Sequence, residues 1–82
     1  MDLVKLTESI IKELVNDKES VSVKEFESEN EDEILIQVML TNEDIGKVIG
    51  RDGKVINAIR TIVQATSYVN DNKKVIINVD SF

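Results

Sequence analysis

The stretch IGKVIGRDGKVINAIRTIV, Ile45 to Val63, holds all three glycines of the 82-residue chain, Gly46, Gly50 and Gly53, inside an otherwise aliphatic run. From Lys54 to about Val69 the positions Val55, Ile56, Ile59, Ile62, Val63 and Thr66 recur at helical spacing. On the other side, Thr41 or Asn42 caps a short helical segment through Glu43, Asp44, Ile45 and Val48, with two acids in the first turn where the helix dipole favours them. Gly50-Arg51-Asp52-Gly53 therefore joins two helices. Two glycines three apart at such a junction let the backbone turn sharply and be approached closely by another chain. The helix that starts near Gly53 also presents unpaired N–H groups and the positive end of its dipole, which suit a phosphate. Gly46 reads as a packing glycine where the short helix meets another element.

The flanking sequence supplies the remaining elements. In residues 2–16, Leu3, Leu6, Ile10 and Leu14 form a stripe widened by Ile11 and Val15, which predicts an amphipathic helix capped by Asp2 and ended near Asn16-Asp17. Val21 and Val23 alternate with serines until the phase slips at Phe26, as in an edge strand with an irregular end. The run Glu27 to Glu33 is a polar turn; it lacks the oxygen spacing and glycine of an EF-hand loop. Residues 34–41 alternate Ile34, Ile36, Val38 and Leu40 on one face, while Leu35 and Met39 make the other face apolar too, as in a well-covered central strand. Asn70-Asp71-Asn72 breaks the last helix, and Lys73 to Val79 is a final strand. The order is α-β-β-α-α-β in one domain, 1–82, of α+β class: a three-stranded sheet with three helices packed on one face.

Composition narrows the function. There is no cysteine for a disulfide or thiolate site and no histidine, the commonest general base and transition-metal ligand. The N-terminus lacks a basic start followed by an apolar core, and no apolar run approaches a membrane span, so a cytoplasmic protein is expected. The net charge of −6 is unevenly spread: residues 1–42 carry eleven acids and four bases, residues 43–70 three acids and four bases. The glycine stretch is thus mildly basic within an acidic chain.

Two phosphate-binding motifs fail by count. A P-loop needs glycine at Val48 and Ser or Thr at Val55, and the dinucleotide fingerprint also needs glycine at Val48. The remaining match is the Gly-x-x-Gly loop that clamps about four nucleotides of single-stranded nucleic acid in KH domains. Here it stands in VIGRDGKVI, between two helices, in the element order of the type II KH fold. The segments IGKVIGRDGKVINAIRTIV and KKVIINVD, with the chain length, resemble the KhpA family of small bacterial single-KH proteins.

That resemblance implies a groove. Ile45, Lys47 and Ile49 belong to the entering helix, Gly50, Arg51, Asp52 and Gly53 to the clamp, and Lys54, Asn57 and Arg60 to the following helix; Ile76, within Val75 to Ile77, belongs to the far wall. The chemistry agrees: Arg51 and Lys54 can pair with phosphates, Arg60 extends the track because 53, 57 and 60 share a face, and Asn57 or backbone groups can read base edges. Asp52 departs from the pattern, because a carboxylate among phosphates is repulsive by about 1 kcal/mol, so weak, strongly salt-dependent binding is expected.

The family resemblance further implies a non-enzymatic RNA-binding protein and RNA chaperone that forms a homodimer and pairs with a larger KhpB-like KH protein in control of cell length and peptidoglycan homeostasis. No cofactor, metal, membrane or small-molecule substrate is expected. A second reading is a protein-interaction module in which RNA is held weakly or by the partner, because Ile59, Ile62, Val63 and Tyr68 are many apolar residues for one sheet to cover. An enzyme comes third, for want of a grouped nucleophile, base and orienter.

Overall fold

A computed structural model describes residues 2–82. It contains α1 (Leu3–Leu14), β1 (Ser22–Glu27), β2 (Glu33–Leu40), α2 (Ile45–Ile49), α3 (Lys54–Asn70) and β3 (Lys74–Ser81), with 3-10 turns at Lys18–Ser20 and Arg51–Gly53. This is the α+β order expected from the sequence.

The sheet runs β1-β2-β3. β1 and β2 are antiparallel, joined by the acidic turn, and their register is unbroken from Ser22↔Met39 to Glu27↔Ile34. The irregular strand end expected from the phase slip at Phe26 is therefore absent, and the pairing stays regular to Glu27. Phe26 lies on the sheet face opposite to Val23, across from Leu35, and stays 53% exposed. β2 and β3 are parallel, from Glu33↔Lys74 to Leu40↔Ser81. A parallel pair needs a crossover, and α2 and α3 supply it.

One face of the sheet carries the core. Val23, Ile36, Val38, Leu40 and Ile77 pack with Leu3, Ile11, Val15, Val48, Ile56, Ile59 and Val63. The other face of β2 is not covered by a helix; Leu35 is only partly shielded, by its row neighbours Phe26 and Ile76. In α1 the innermost line is Leu3, Thr7 and Ile11, continued by Val15 at the helix end, with Leu6 and Ile10 at its margin and Leu14 outside. A threonine can occupy the inner line because its hydroxyl donates to the Leu3 carbonyl at 2.7 Å, leaving no polar atom unsatisfied. Among the described residues no helix is long and apolar enough to cross a membrane.

The end of α1 is tied to the start of α2 by Asp44. Its side chain makes no cap hydrogen bond to α2. Instead Oδ1 accepts the Asn16 N–H at 3.2 Å and Oδ2 the Asp17 N–H at 3.0 Å, with the Thr41 hydroxyl at 3.3 Å and Lys47 Nζ at 3.4 Å completing the shell. The backbone N–H of Asp17, then that of Asn16, hold the carboxyl below its ordinary value, helped by Lys47 and Thr41 and opposed by desolvation. A carboxyl depressed in the folded state contributes stability that is complete above its unfolded value and is lost as pH falls. Asp44→Asn removes one acceptor and should lower the melting temperature at neutral pH. The gap between wild type and variant should be constant from pH 8 to 5 and shrink once pH drops below the ordinary value of 3.8. Thermal melts across that range check this; a gap that persists unchanged at pH 3 contradicts it.

Candidate nucleic-acid interface

The turn between α2 and α3 is built from backbone conformations that ordinary residues avoid. Gly50 sits at φ 76°, ψ 175°, a region open essentially only to glycine. A Cβ there would collide with the Val55 side chain and lie 3.0 Å from the Val55 nitrogen. Gly53, at φ 73°, is left-handed but has room, since the nearest atom to its missing Cβ is Asn57 Nδ2 at 3.7 Å. Its demand is purely conformational. Asp52 between them is also left-handed, at φ 56° and ψ 26°. Aspartate is among the few L-residues that tolerate this region. The residue that is electrostatically at odds with a phosphate clamp thus has a backbone reason to be there.

Around the turn the charges are free. Arg51, Asp52 and Lys54 are exposed, and the ion pairs among the described residues are Lys12–Glu8 and Lys47–Asp44. Arg51 and Lys54 therefore face solvent beside the positive end of the 17-residue α3. Lys47 is committed to Asp44 but keeps 43% of its side chain exposed. Ile45 and Ile49 are half-buried against the core. The acidic hairpin 27–33 lies at the opposite end of β2, roughly 25 Å away along the strand.

On the flank of α3, Asn57 and Arg60 come together with β3. Arg60 Nη1 donates to Asn57 Oδ1 at 3.3 Å and Nη2 to the Ile77 carbonyl at 3.0 Å. Gln64 continues the pattern: Nε2 donates to the Lys73 carbonyl at 2.9 Å and Oε1 accepts the Val75 N–H at 2.8 Å. Ser67 Oγ adds a second bond to Lys73 O at 2.7 Å. Lys73, Val75 and Ile77 thus turn their polar groups outward to the free edge of β3, where α3 side chains take the place of a neighbouring strand. Gln64 and Ser67 were not singled out from sequence; the only signal is that Gln64 stands one turn beyond Arg60.

Ile76 is not part of this grouping. It pairs with Leu35 on β2, and strand alternation points its side chain to the sheet face away from α3. What β3 offers to the α3 side is Val75, Ile77 and Val79. Gly46 also differs from expectation: a Cβ there meets nothing within 4 Å, and the residue is exposed. Packing does not require that glycine. Among the described residues no cluster of three or more carboxylate, histidine or cysteine side chains is arranged to hold a metal. The site offers anion pairing and hydrogen bonding.

Two glycines of one short segment should therefore respond in opposite ways. Gly46→Ala should stabilise the fold by about 0.5–1 kcal/mol, because helical glycine is entropically costly and alanine fits. Gly50→Ala should destabilise it by about 2 kcal/mol or more, from the forbidden φ/ψ and the Val55 clash. Urea unfolding of both variants checks the pair of signs, and equal effects would contradict the geometry.

Comparison with known proteins agrees with the fold. The family described as KhpA/KhpB, KH domain, matches residues 4–79. The RNA-binding protein KhpA of Clostridium perfringens is 40% identical over 74 residues, covering 90% of this chain and 95% of the relative. That of Clostridium acetobutylicum is 38% identical over the same coverage. That of Thermotoga maritima is 32% identical, covering 90% of this chain and 93% of the relative. With a type II KH fold, a Gly-x-x-Gly turn between α2 and α3, and relatives aligned along almost their whole length, the chain belongs to the KhpA/KhpB family of KH domains.

Proposed function

We propose that this protein binds single-stranded RNA without catalysing a reaction, holding the sugar-phosphate backbone at Gly50 to Gly53 and its phosphates with Arg51 and Lys54. The observation that carries this is the turn itself: two glycine-demanding conformations bring backbone to the surface beside two solvent-facing cations. Arg60 serves two purposes, bracing the β3 edge and adding positive charge to the groove. In this reading the protein is a cytoplasmic RNA chaperone that acts with a KhpB-like partner in post-transcriptional control of cell length and peptidoglycan homeostasis. Family membership supports the RNA-binding part of this reading, and the cellular role extends it by resemblance.

A second reading is favoured by the opposite flank of α3. Ile62 is 49% exposed and Val69 84%, one side of a helix that a partner surface would cover. There the domain makes a homodimer or a heteromer and RNA is held weakly or by the partner. Sedimentation separates the two, since a strict monomer that binds RNA unaided overturns the interaction reading.

Titration of labelled single-stranded RNA should show Arg51→Asp binding at least about tenfold weaker than wild type at low salt. With two or three phosphate pairs, wild-type affinity should fall roughly tenfold between 50 and 200 mM salt, and the variant's slope should be shallower by about 0.7 or more. Equal affinity of both proteins at low salt would overturn the assigned clamp.

A further inference from the structure

One stripe of α3 continues past the clamp. Gly53, Asn57, Arg60, Gln64 and Tyr68 stand four, three, four and four residues apart, which at 3.6 residues per turn keeps them on one flank. The bonds of Arg60 to Ile77 and of Gln64 to Val75 fix that flank against the edge of β3. Beyond Arg60 the flank opens into a shallow, mostly apolar groove lined by Arg60, Thr61, Gln64, Ala65, Tyr68 and Val75. Ala65 keeps its floor low between Thr61 and Tyr68. The Tyr68 side chain, 54% exposed, closes its far end.

We infer that this groove is a further base subsite, which holds one unstacked nucleobase of the same RNA strand beyond the nucleotides at the clamp, with Tyr68 as its stacking platform. It rests on the RNA-binding reading above. Gln64 is committed on both amide atoms to β3 and acts as a wall. Arg60 uses two contacts, on Asn57 and Ile77, and keeps further N–H donors for the base. Because those groups only donate, the subsite suits a base edge that presents a carbonyl or ring-nitrogen acceptor. A base also fits better than a second protein chain. A helix laid here would bury the guanidinium of Arg60, whereas the apolar residues suited to self-association, Ile62 and Val69, are on the other flank. Every base has a π-face, so one aromatic adds affinity without demanding a sequence.

The chain has a single tyrosine and no tryptophan, so its tyrosine fluorescence reports on Tyr68 alone. End-labelled oligouridylates of four and eight nucleotides are titrated with wild type, Tyr68→Ala, Tyr68→Phe and Arg51→Asp, affinity being read from the anisotropy of the label, and tyrosine emission is followed in wild type and Arg51→Asp, which keep the tyrosine. In the inferred arrangement the eight-nucleotide RNA quenches the emission and the four-nucleotide RNA does not. Tyr68→Ala weakens the longer RNA by about fivefold or more and leaves the shorter unchanged, Tyr68→Phe binds both like wild type, and Arg51→Asp weakens both. If Tyr68→Ala leaves the longer RNA unaffected, or weakens both lengths equally, the subsite is overturned while the clamp stands. Emission that changes with protein concentration and not with RNA also overturns it, in favour of a second copy. If wild type binds neither RNA, the subsite falls together with the RNA-binding reading.

Discussion

The parallel pairing of β2 with β3 is the constraint on which the rest of the molecule depends. It obliges the chain to leave the end of β2 at Leu40 and return to the start of β3 at Lys74, beside Glu33 at the far end of the same strand. A helix of α3's length spans that distance, about 25 Å. The reversal has to be made before it starts, between α2 and α3. Gly50 makes it, in a conformation closed to other residues and against a valine that leaves no space for a side chain. The same reversal exposes backbone at the surface and sets the positive end of α3 beside it. The feature that allows the fold is thus the feature proposed to hold a phosphate backbone.

β3 is the last strand of the sheet, and an uncovered edge invites unwanted pairing. α3 covers it with side chains, Gln64 with both amide atoms, Ser67 through its hydroxyl and Arg60 through its guanidinium. Bonds of this kind are worth about 0.5–1.5 kcal/mol each when neutral and more when a charge takes part. They fix α3 against the edge of β3 beside the shallow groove lined by Val75 and Tyr68. Arg60 belongs to both tasks, so its replacement cannot be read as a loss of charge alone.

The element order, the edge and centre of the sheet, the single core and the glycine turn were legible in the sequence because each depends on local periodicity or on glycine. Features set by tertiary contact were not. Ile76 and Ile77 are both aliphatic, and only the register with β2 tells which one faces the helices. Gly46 looks like the other glycines until the empty space around it is seen. Asp44 reads as a first-turn acid, yet its main partners are Asn16 and Asp17, 28 and 27 residues away in sequence. Phe26 breaks the alternation of β1 without breaking its register, because half of its ring surface can stay in solvent on the open face.

Charge and backbone make opposing demands at the proposed clamp, and Asp52 is where they meet. A lysine there would improve attraction to phosphates but would have to enter the left-handed region, at a cost of about 1–2 kcal/mol for an ordinary L-residue. An exposed charge near a phosphate is worth about 1 kcal/mol in water. The two terms are of similar size, so an aspartate in this turn is no simple defect. It favours a stable, pre-formed turn over maximal attraction, while Arg51 and Lys54 on either side supply the positive charge and the acidic hairpin sits at the other end of the sheet.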